Sequence, residues 1–108
     1  MIKPGVDLRG LQPQMAIAYT IAVSIYAKHA QAGHCVITSA SDGTHGPNSL
    51  HYSGRALDLR TRSLIHVAVP LIHRDLKLAL GDQFDVVLEE DHFHIEWDVK
   101  DTPKASEA

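Results

Sequence analysis

The stretch that decides the fold is residues 49–58, which read Ser49-Leu50-His51-Tyr52-Ser53-Gly54-Arg55-Ala56-Leu57-Asp58. Gly54 lies between His51 and Asp58 and allows the backbone to turn, so that a loop histidine folds back beside a carboxylate. From Ala56 to Arg60 the apolar and polar residues alternate, which is the pattern of a half-buried strand with Asp58 and Arg60 on one face. The stretch therefore predicts a turn that leads into a strand with a carboxylate at its centre.

A second stretch with histidine and carboxylate residues reads Asp91-His92-Phe93-His94-Ile95-Glu96-Trp97. Alternation places His92, His94 and Glu96 on one face of a strand, while the apolar residues between them form the opposite face. Two neutral imidazoles and one carboxylate are the ligand types of a catalytic zinc, which leaves a fourth position to water. A thiolate-rich structural zinc site is excluded, because Cys35 is the only cysteine. The two stretches together predict a metal site.

The combined motif resembles a known family. The pattern Ser49-x-His51-x-x-Gly54-x-Ala56-x-Asp58, followed by Asp91-x-x-His94 within His-x-His, is similar to the zinc peptidases that include D-alanyl-D-alanine carboxypeptidases and phage L-alanyl-D-glutamate endolysins. Hedgehog signalling domains are similar to the same fold. The resemblance implies one zinc ion held by His51, Asp58 and His94. It also implies that the acid three residues before the last ligand, Asp91, is the general base, although the family usually has glutamate there.

His92 competes with Asp91 for the role of base. Strand alternation places His92, rather than Asp91, on the face of His94, so Asp91 can serve only if the strand begins irregularly at the turn. From the family pattern we expect Asp91 to be the base and His92 to stabilise the oxyanion.

Four further residues are candidates for binding the substrate. A guanidinium fork matches the geometry of a carboxylate, which makes Arg55 and Arg60 candidates, and Arg60 is the better one because it shares a face with Asp58. The alternative for each arginine is a salt bridge to Asp58 or a surface position. Ser49 is a candidate for orienting a ligand, and His45 for the rim of the site; their alternatives are a plain loop serine and a solvated histidine.

Length and charge limit the possible partners. A chain of 108 residues with 10 basic and 13 acidic side chains forms one domain with a net charge of -3, which argues against nucleic acid or an anionic membrane as the main partner. We expect a monomeric zinc peptidase domain over residues 1–100 and a disordered, polar tail over residues 101–108.

The uncharged run between Arg9 and Lys28 imitates a targeting signal. Asp7 spoils the positive leader that a signal peptide needs, and cleavage would remove much of the core. Polar residues and Pro13 interrupt the run too often for a membrane span. We therefore expect synthesis in the cytoplasm without a signal peptide, followed by action on the cell wall if a lysis system releases the protein.

The order of predicted elements defines the fold class. We expect a buried helix over Met15–Ala32, apolar on most faces, then a strand over Cys35–Ala40, the strand at Ala56–Arg60 and a helical stretch over Ser63–Leu80. A hairpin of strands Phe84–Glu89 and His92–Trp97 follows. This order predicts an α+β domain with helices packed on one face of a small, mostly antiparallel sheet.

The function implied by the resemblance is zinc-dependent hydrolysis of peptide bonds in peptidoglycan stem peptides, in a phage or prophage lysis enzyme of carboxypeptidase or endopeptidase type. The alternative is a zinc-binding module of the same fold without hydrolytic activity.

Overall fold

The computed structural model describes residues 1–41 and 54–98 of the chain. The helices in this part are α1 (Pro13–Lys28), a 3₁₀ turn (Ala32–His34) and α2 (Ala68–Leu80), and the strands are β1 (Ile37–Ser39), β2 (Ala56–Arg60), β3 (Phe84–Leu88) and β4 (His92–Trp97). The predicted order of helices and strands is confirmed. The expected tail over residues 101–108 lies outside the described residues.

The four strands form one antiparallel sheet in the order β1-β2-β4-β3. Both helices pack on the same face of this sheet, where the ring of Phe93 joins them. Tyr26 of α1 meets Phe93 edge to face at 6.5 Å between ring centroids, and His73 of α2 stacks on it at 5.7 Å. The predicted fold class, an α+β domain with helices on one face of a small antiparallel sheet, is confirmed.

Strand β2 is buried on both faces and is not the half-buried strand that its alternation predicts. Leu57 and Leu59 face the helices, but Ala56 and Asp58 on the opposite face are buried as well, and Asp58 is only 8% exposed. The reason is its position, since β2 lies between β1 and β4 inside the sheet. The alternation therefore separates the two faces of β2 correctly, but the face that carries Asp58 is buried too.

Helix α1 begins at Pro13, where a proline loses no hydrogen bond, but it ends earlier than predicted and buries only one stripe. Ala30 has a φ of 61° and occupies the left-handed position that usually belongs to glycine, with Gln31 N donating to Tyr26 O at 2.8 Å. The buried residues are spaced at helical intervals, whereas Ile17 is 61% exposed. Alanines on every side made the helix look apolar all round. No helix in residues 1–41 or 54–98 is long and apolar enough to cross a membrane.

Two predicted elements are shorter in the structure. The first strand covers only Ile37–Ser39, and α2 begins at Ala68 rather than at Ser63. The preceding segment instead forms turns, in which Leu64 N donates to Thr61 O at 2.9 Å. Pro70 falls in the first turn of α2, where its missing amide hydrogen is not needed, so it starts the helix and does not kink it.

The N-terminal segment supports the turn before β2. Gln12 N donates to Gly54 O at 2.9 Å, and Gly54 has a φ of 73°. A Cβ atom on Gly54 would lie 1.9 Å from the carbonyl oxygen of Gly10. Gly54 is therefore required by the close approach of a second chain segment as well as by the turn that the sequence predicted.

A buried acid joins the two helices. Asp75 of α2 accepts hydrogen bonds from His29 Nε2 at 2.8 Å, Arg74 Nε at 3.0 Å and Lys28 Nζ at 3.2 Å. These donors, His29 above all, hold the pKa of the Asp75 carboxyl well below its usual range. The end of α1 is thus attached to the middle of α2.

We predict that Gly54→Ala lowers the free energy of unfolding by roughly 2 kcal/mol or more, because the left-handed conformation costs a residue with a Cβ about 1–2 kcal/mol and the clash with Gly10 adds to it. Gly5→Ala is the control, since Gly5 also has a positive φ, of 89°, but open space around it. Chemical denaturation of both variants measures the difference. Equal losses would show that the contact with Gly10 is unimportant.

We predict that Asp75→Asn lowers the midpoint of thermal unfolding at pH 7. A carboxyl whose folded pKa is depressed stabilises the fold above its unfolded pKa of about 3.9 and loses that contribution as the pH falls further. The gap between wild type and Asp75→Asn should therefore narrow below about pH 4, whereas Asp82→Asn, at an exposed position, should change little at any pH. A gap that stays constant from pH 7 to pH 3 would mean that charge is not the cause.

Candidate metal centre

Two of the three predicted ligands lie together on the face of the sheet opposite the helices. Asp58 of β2 and His94 of β4 are direct partners in the antiparallel register, and His94 Nδ1 donates to Asp58 Oδ1 at 3.0 Å. Ligands of a tetrahedral zinc with bonds of about 2.1 Å are roughly 3.4 Å apart, so a small separation of this pair would admit zinc. The carboxylate and imidazole donor set also fits. The third predicted ligand, His51, lies outside the described residues.

His94 is held between two carboxylates. Its Nδ1 faces Asp58, and its Nε2 donates to Glu96 Oε1 at 2.7 Å. The hydrogen bond to Asp58 raises the pKa of His94 to about 9, and Glu96 adds to this rise against the opposing effect of burial. Without a metal ion the ring is thus an imidazolium at neutral pH, and a metal ion would take the place of one of its two protons.

The two predicted catalytic residues, Asp91 and His92, are joined by a hydrogen bond. His92 Nδ1 donates to Asp91 Oδ1 at 2.8 Å, and His92 Nε2 lies 3.7 Å from Asp58 Oδ2. The side chain of Asp91 is 59% exposed, whereas that of His92 is 23% exposed. The hydrogen bond from His92 lowers the pKa of Asp91. His92 therefore faces the ligand pair, and Asp91 contacts its ring from the solvent side.

Glu89 also belongs to this cluster, although sequence reasoning gave it no role beyond the hairpin turn. Its Oε1 accepts a hydrogen bond from His92 Nε2 at 2.9 Å. Burial opposes protonation of His92, but the carboxylates of Asp91, Asp58 and Glu89 raise its pKa. The spacing of three residues across a tight turn was the signal that could have indicated Glu89. Glu96 was placed correctly on the site face, but its contact with His94 was not foreseen.

The two arginines proposed for substrate binding differ in position. Arg55 Nε donates to Trp97 O at 3.0 Å, and its guanidinium lies 5.1 Å from the centroid of the Trp97 ring. Arg60 is the register partner of His92, and its Nε is buried without a hydrogen-bond partner in the part of the chain that the structure describes. Ser49 and His45 lie outside the described residues. Substrate binding by any of the four stays a prediction.

A further acidic group lies beside Glu96. The carboxylates of Asp85, Glu96 and Asp98 have oxygen atoms within 4.8 Å of one another. Asp85 and Glu96 are cross-strand partners, so the sheet register brings them together. Partly exposed acidic groups of this kind are common on proteins, and we assign no metal to this one.

This geometry defines a class of protein, an α+β domain whose sheet face opposite the helices carries histidine and carboxylate groups of the kinds that bind metal ions. The sequence matches the family model of the Hedgehog amino-terminal signalling domain over residues 17–97, a span that includes most of α1, the whole sheet and α2. The chain belongs to this family. No curated protein and no solved structure gives a significant match.

The family match corrects several expectations from the sequence. The chain is not assigned to the zinc carboxypeptidase and endolysin family, whose fold is related to that of the Hedgehog domain. The motifs describe the positions of metal ligands on that shared fold, so they could not distinguish the two families. Because the match is to a signalling domain, peptidoglycan as the partner and a phage or cell-wall hydrolase as the protein class are wrong. The expected localisation, cytoplasmic synthesis followed by action on a cell wall, is wrong for the same reason.

Proposed function

We propose that this chain is a zinc-binding domain of the Hedgehog signalling family whose metal centre hydrolyses peptide bonds. Asp58, His94 and His51 would hold the ion. The observation that supports the proposal best is the pairing of Asp58 and His94 at 3.0 Å, with the ring of His92 3.7 Å from the second oxygen of the same carboxylate. The ligand pair thus has a group able to transfer protons directly beside it.

The partners of His94 indicate which ring nitrogen binds the metal. A ligating histidine usually donates its other N–H to a carboxylate, which fixes the tautomer and the orientation of the ring. Glu96 accepts from Nε2 at 2.7 Å and so takes this part, which leaves Nδ1, on the side of Asp58, as the ligand atom. A bound zinc supplies Lewis acidity and acidifies a water molecule.

His92 is the better placed of the two candidates for the base. Its Nδ1–H is held by Asp91, which orients the ring, and its Nε2 faces Asp58. Asp91 would then act through His92, as the acid that orients a histidine base does in hydrolytic sites. This differs from the direct role that the family resemblance implied for Asp91. Arg60, whose strand position is paired with that of His92, would bind an oxygen of the substrate through its guanidinium.

The second candidate function is a zinc-binding module that does not hydrolyse peptides. Two observations favour it: the family is that of a signalling domain, and both nitrogens of His92 already have carboxylate partners, Asp91 and Glu89. A ring held on both sides is less free to exchange a proton with a substrate. In this case zinc would stabilise the shape of a binding surface.

We predict that the protein binds one zinc ion and that His51→Ala, Asp58→Ala and His94→Ala each abolish binding, because a site with three protein ligands tolerates no loss. Affinity should fall as the pH falls, because His94, whose pKa is raised to about 9, must lose a proton before it binds. Elemental analysis and competition with a chromogenic chelator measure both effects. His66→Ala, at an exposed histidine, is the control and should retain the metal. Stoichiometric zinc in His94→Ala would contradict the assignment.

We predict that His92→Ala slows hydrolysis of quenched fluorescent peptides by about 10²-fold or more at equal zinc occupancy, the usual scale for a general base. Asp91→Asn should retain zinc and cost less, about tenfold, because it only orients the ring. The reverse order of effects would identify Asp91 as the direct base. The second candidate, a zinc-binding module without hydrolytic activity, would be supported if the zinc-loaded wild type cleaves none of the peptides. Glu89→Gln, which frees one nitrogen of His92, should then cleave none of them either.

A further inference from the structure

An apolar groove adjoins the candidate metal centre and shares Glu89 with it. One wall is the turn segment 61–67 with the first turn of α2, and the other is the tip of the hairpin between β3 and β4. We call it the hairpin groove. Its volume is about 690 Å³, and residues that line it include Leu64, Val67, Pro70, Leu88, Glu89 and Glu90. Pockets of roughly 300–1,000 Å³ are the usual size for ligands in proteins.

The walls of the hairpin groove expose apolar side chains that the core does not use. Leu64, at 9% exposure, belongs to the core, but Val67 is 72% exposed and Leu88 is 42% exposed. Apolar surface of this kind stays in contact with water unless a ligand covers it, and covering it is favourable. The groove therefore suits an apolar group.

The hairpin groove is continuous with the metal centre. Glu89 lines the groove and also accepts the hydrogen bond from His92 Nε2 at 2.9 Å, and His92 in turn lies 3.7 Å from Asp58. The backbone joins the two walls where Thr61 N donates to Asp91 O at 3.0 Å. Only the side chain of His92 therefore separates Glu89, at the edge of the groove, from Asp58, a proposed zinc ligand.

Charge at the hairpin tip favours a basic group beside the apolar one. Glu89 and Glu90 lie in the lining of the groove, and Arg62 is the cation in that lining. The positive charge of Arg62 helps to lower the pKa of Asp91, so Arg62 interacts with that carboxylate as well as with the groove. The tip with Asp91 included carries three carboxylates; His92 hydrogen-bonds to two of them, Asp91 and Glu89, so Glu90 is the one that faces the groove without this partner. A cationic ligand complements it.

We infer that the hairpin groove binds an apolar side chain of a peptide and that the next residue of that peptide is basic and faces Glu90. The inference rests on the proposed function in that it takes a peptide to be the ligand of the metal centre. It adds the class of sequence that the domain selects, a large aliphatic residue next to lysine or arginine.

The test measures the binding of fluorescein-labelled peptides to the zinc-loaded protein by fluorescence polarisation. The peptides have a glycine-rich frame with leucine or serine at one position and lysine or glutamate at the next. The leucine–lysine peptide should bind about tenfold more tightly than the serine–lysine peptide, the ratio that roughly 1.4 kcal/mol of buried apolar surface provides. No preference for leucine would overturn the inference.

Two variants at exposed positions localise the binding. Val67→Asp should weaken binding of the leucine–lysine peptide about tenfold, whereas Leu78→Asp, at a site 76% exposed on α2 and outside the lining, should leave it unchanged. Glu90→Lys should remove or reverse the preference for lysine over glutamate, and Asp82→Lys, also exposed and outside the lining, is its control. Equal effects of the groove variants and their controls would overturn the inference.

Hydrolysis of the same peptides, followed by mass spectrometry, keeps this inference separate from the proposed function. Selective binding that Val67→Asp weakens, without cleavage, would support the groove and contradict the peptidase. Cleavage that is unaffected by Val67→Asp and Glu90→Lys would support the peptidase and contradict the groove. If both hold, Val67→Asp should raise KM and leave kcat nearly unchanged, because the groove binds the ground state and the transition state alike.

Discussion

The structure depends on the register between β2 and β4. Asp58 lies opposite His94 in this pairing, and Leu59 lies opposite Phe93, so the same register that builds the metal centre on one face builds the core on the other. A slip of one residue would place the leucine face toward the site and the carboxylate toward the helices. Selection for a packed core therefore also keeps the ligand pair together, and the site needs no separate device to align its two strands.

This arrangement carries an electrostatic cost that a metal ion would relieve. Asp58 is buried, and Glu96 and Glu89 lie on the same side of the sheet as two histidines. A buried carboxylate is costly unless it is paired, and here the pairing requires His94 to carry a proton and a positive charge. A divalent cation bound to Asp58 and His94 would neutralise the same carboxylates. The charges of the face therefore suit the metal binding that is proposed for it.

The sequence was sufficient to predict those elements in which apolar and polar residues recur at a regular spacing. Alternation located β2 and β4 and assigned their faces, because this signal is local. Burial of β2 on both faces could not be predicted, since it depends on which strands become its neighbours. The end of α1 was missed because Ala30 adopts a left-handed conformation that favours glycine. The contact of Glu89 with His92 crosses a turn whose geometry the sequence does not specify.

The motifs predict a metal site but not its use, and the reason is physical. Ligand spacing reflects the requirements of the ion, and a domain that hydrolyses peptides and one that only binds zinc share those requirements. What separates the two uses is the freedom of the neighbouring proton carrier. Here that carrier is His92, held by Asp91 on one nitrogen and by Glu89 on the other. Asp91 leaves the nitrogen that faces Asp58 available for proton transfer, whereas Glu89 occupies it. Glu89 also lines the hairpin groove, so a ligand bound there would lie beside the carboxylate that holds His92.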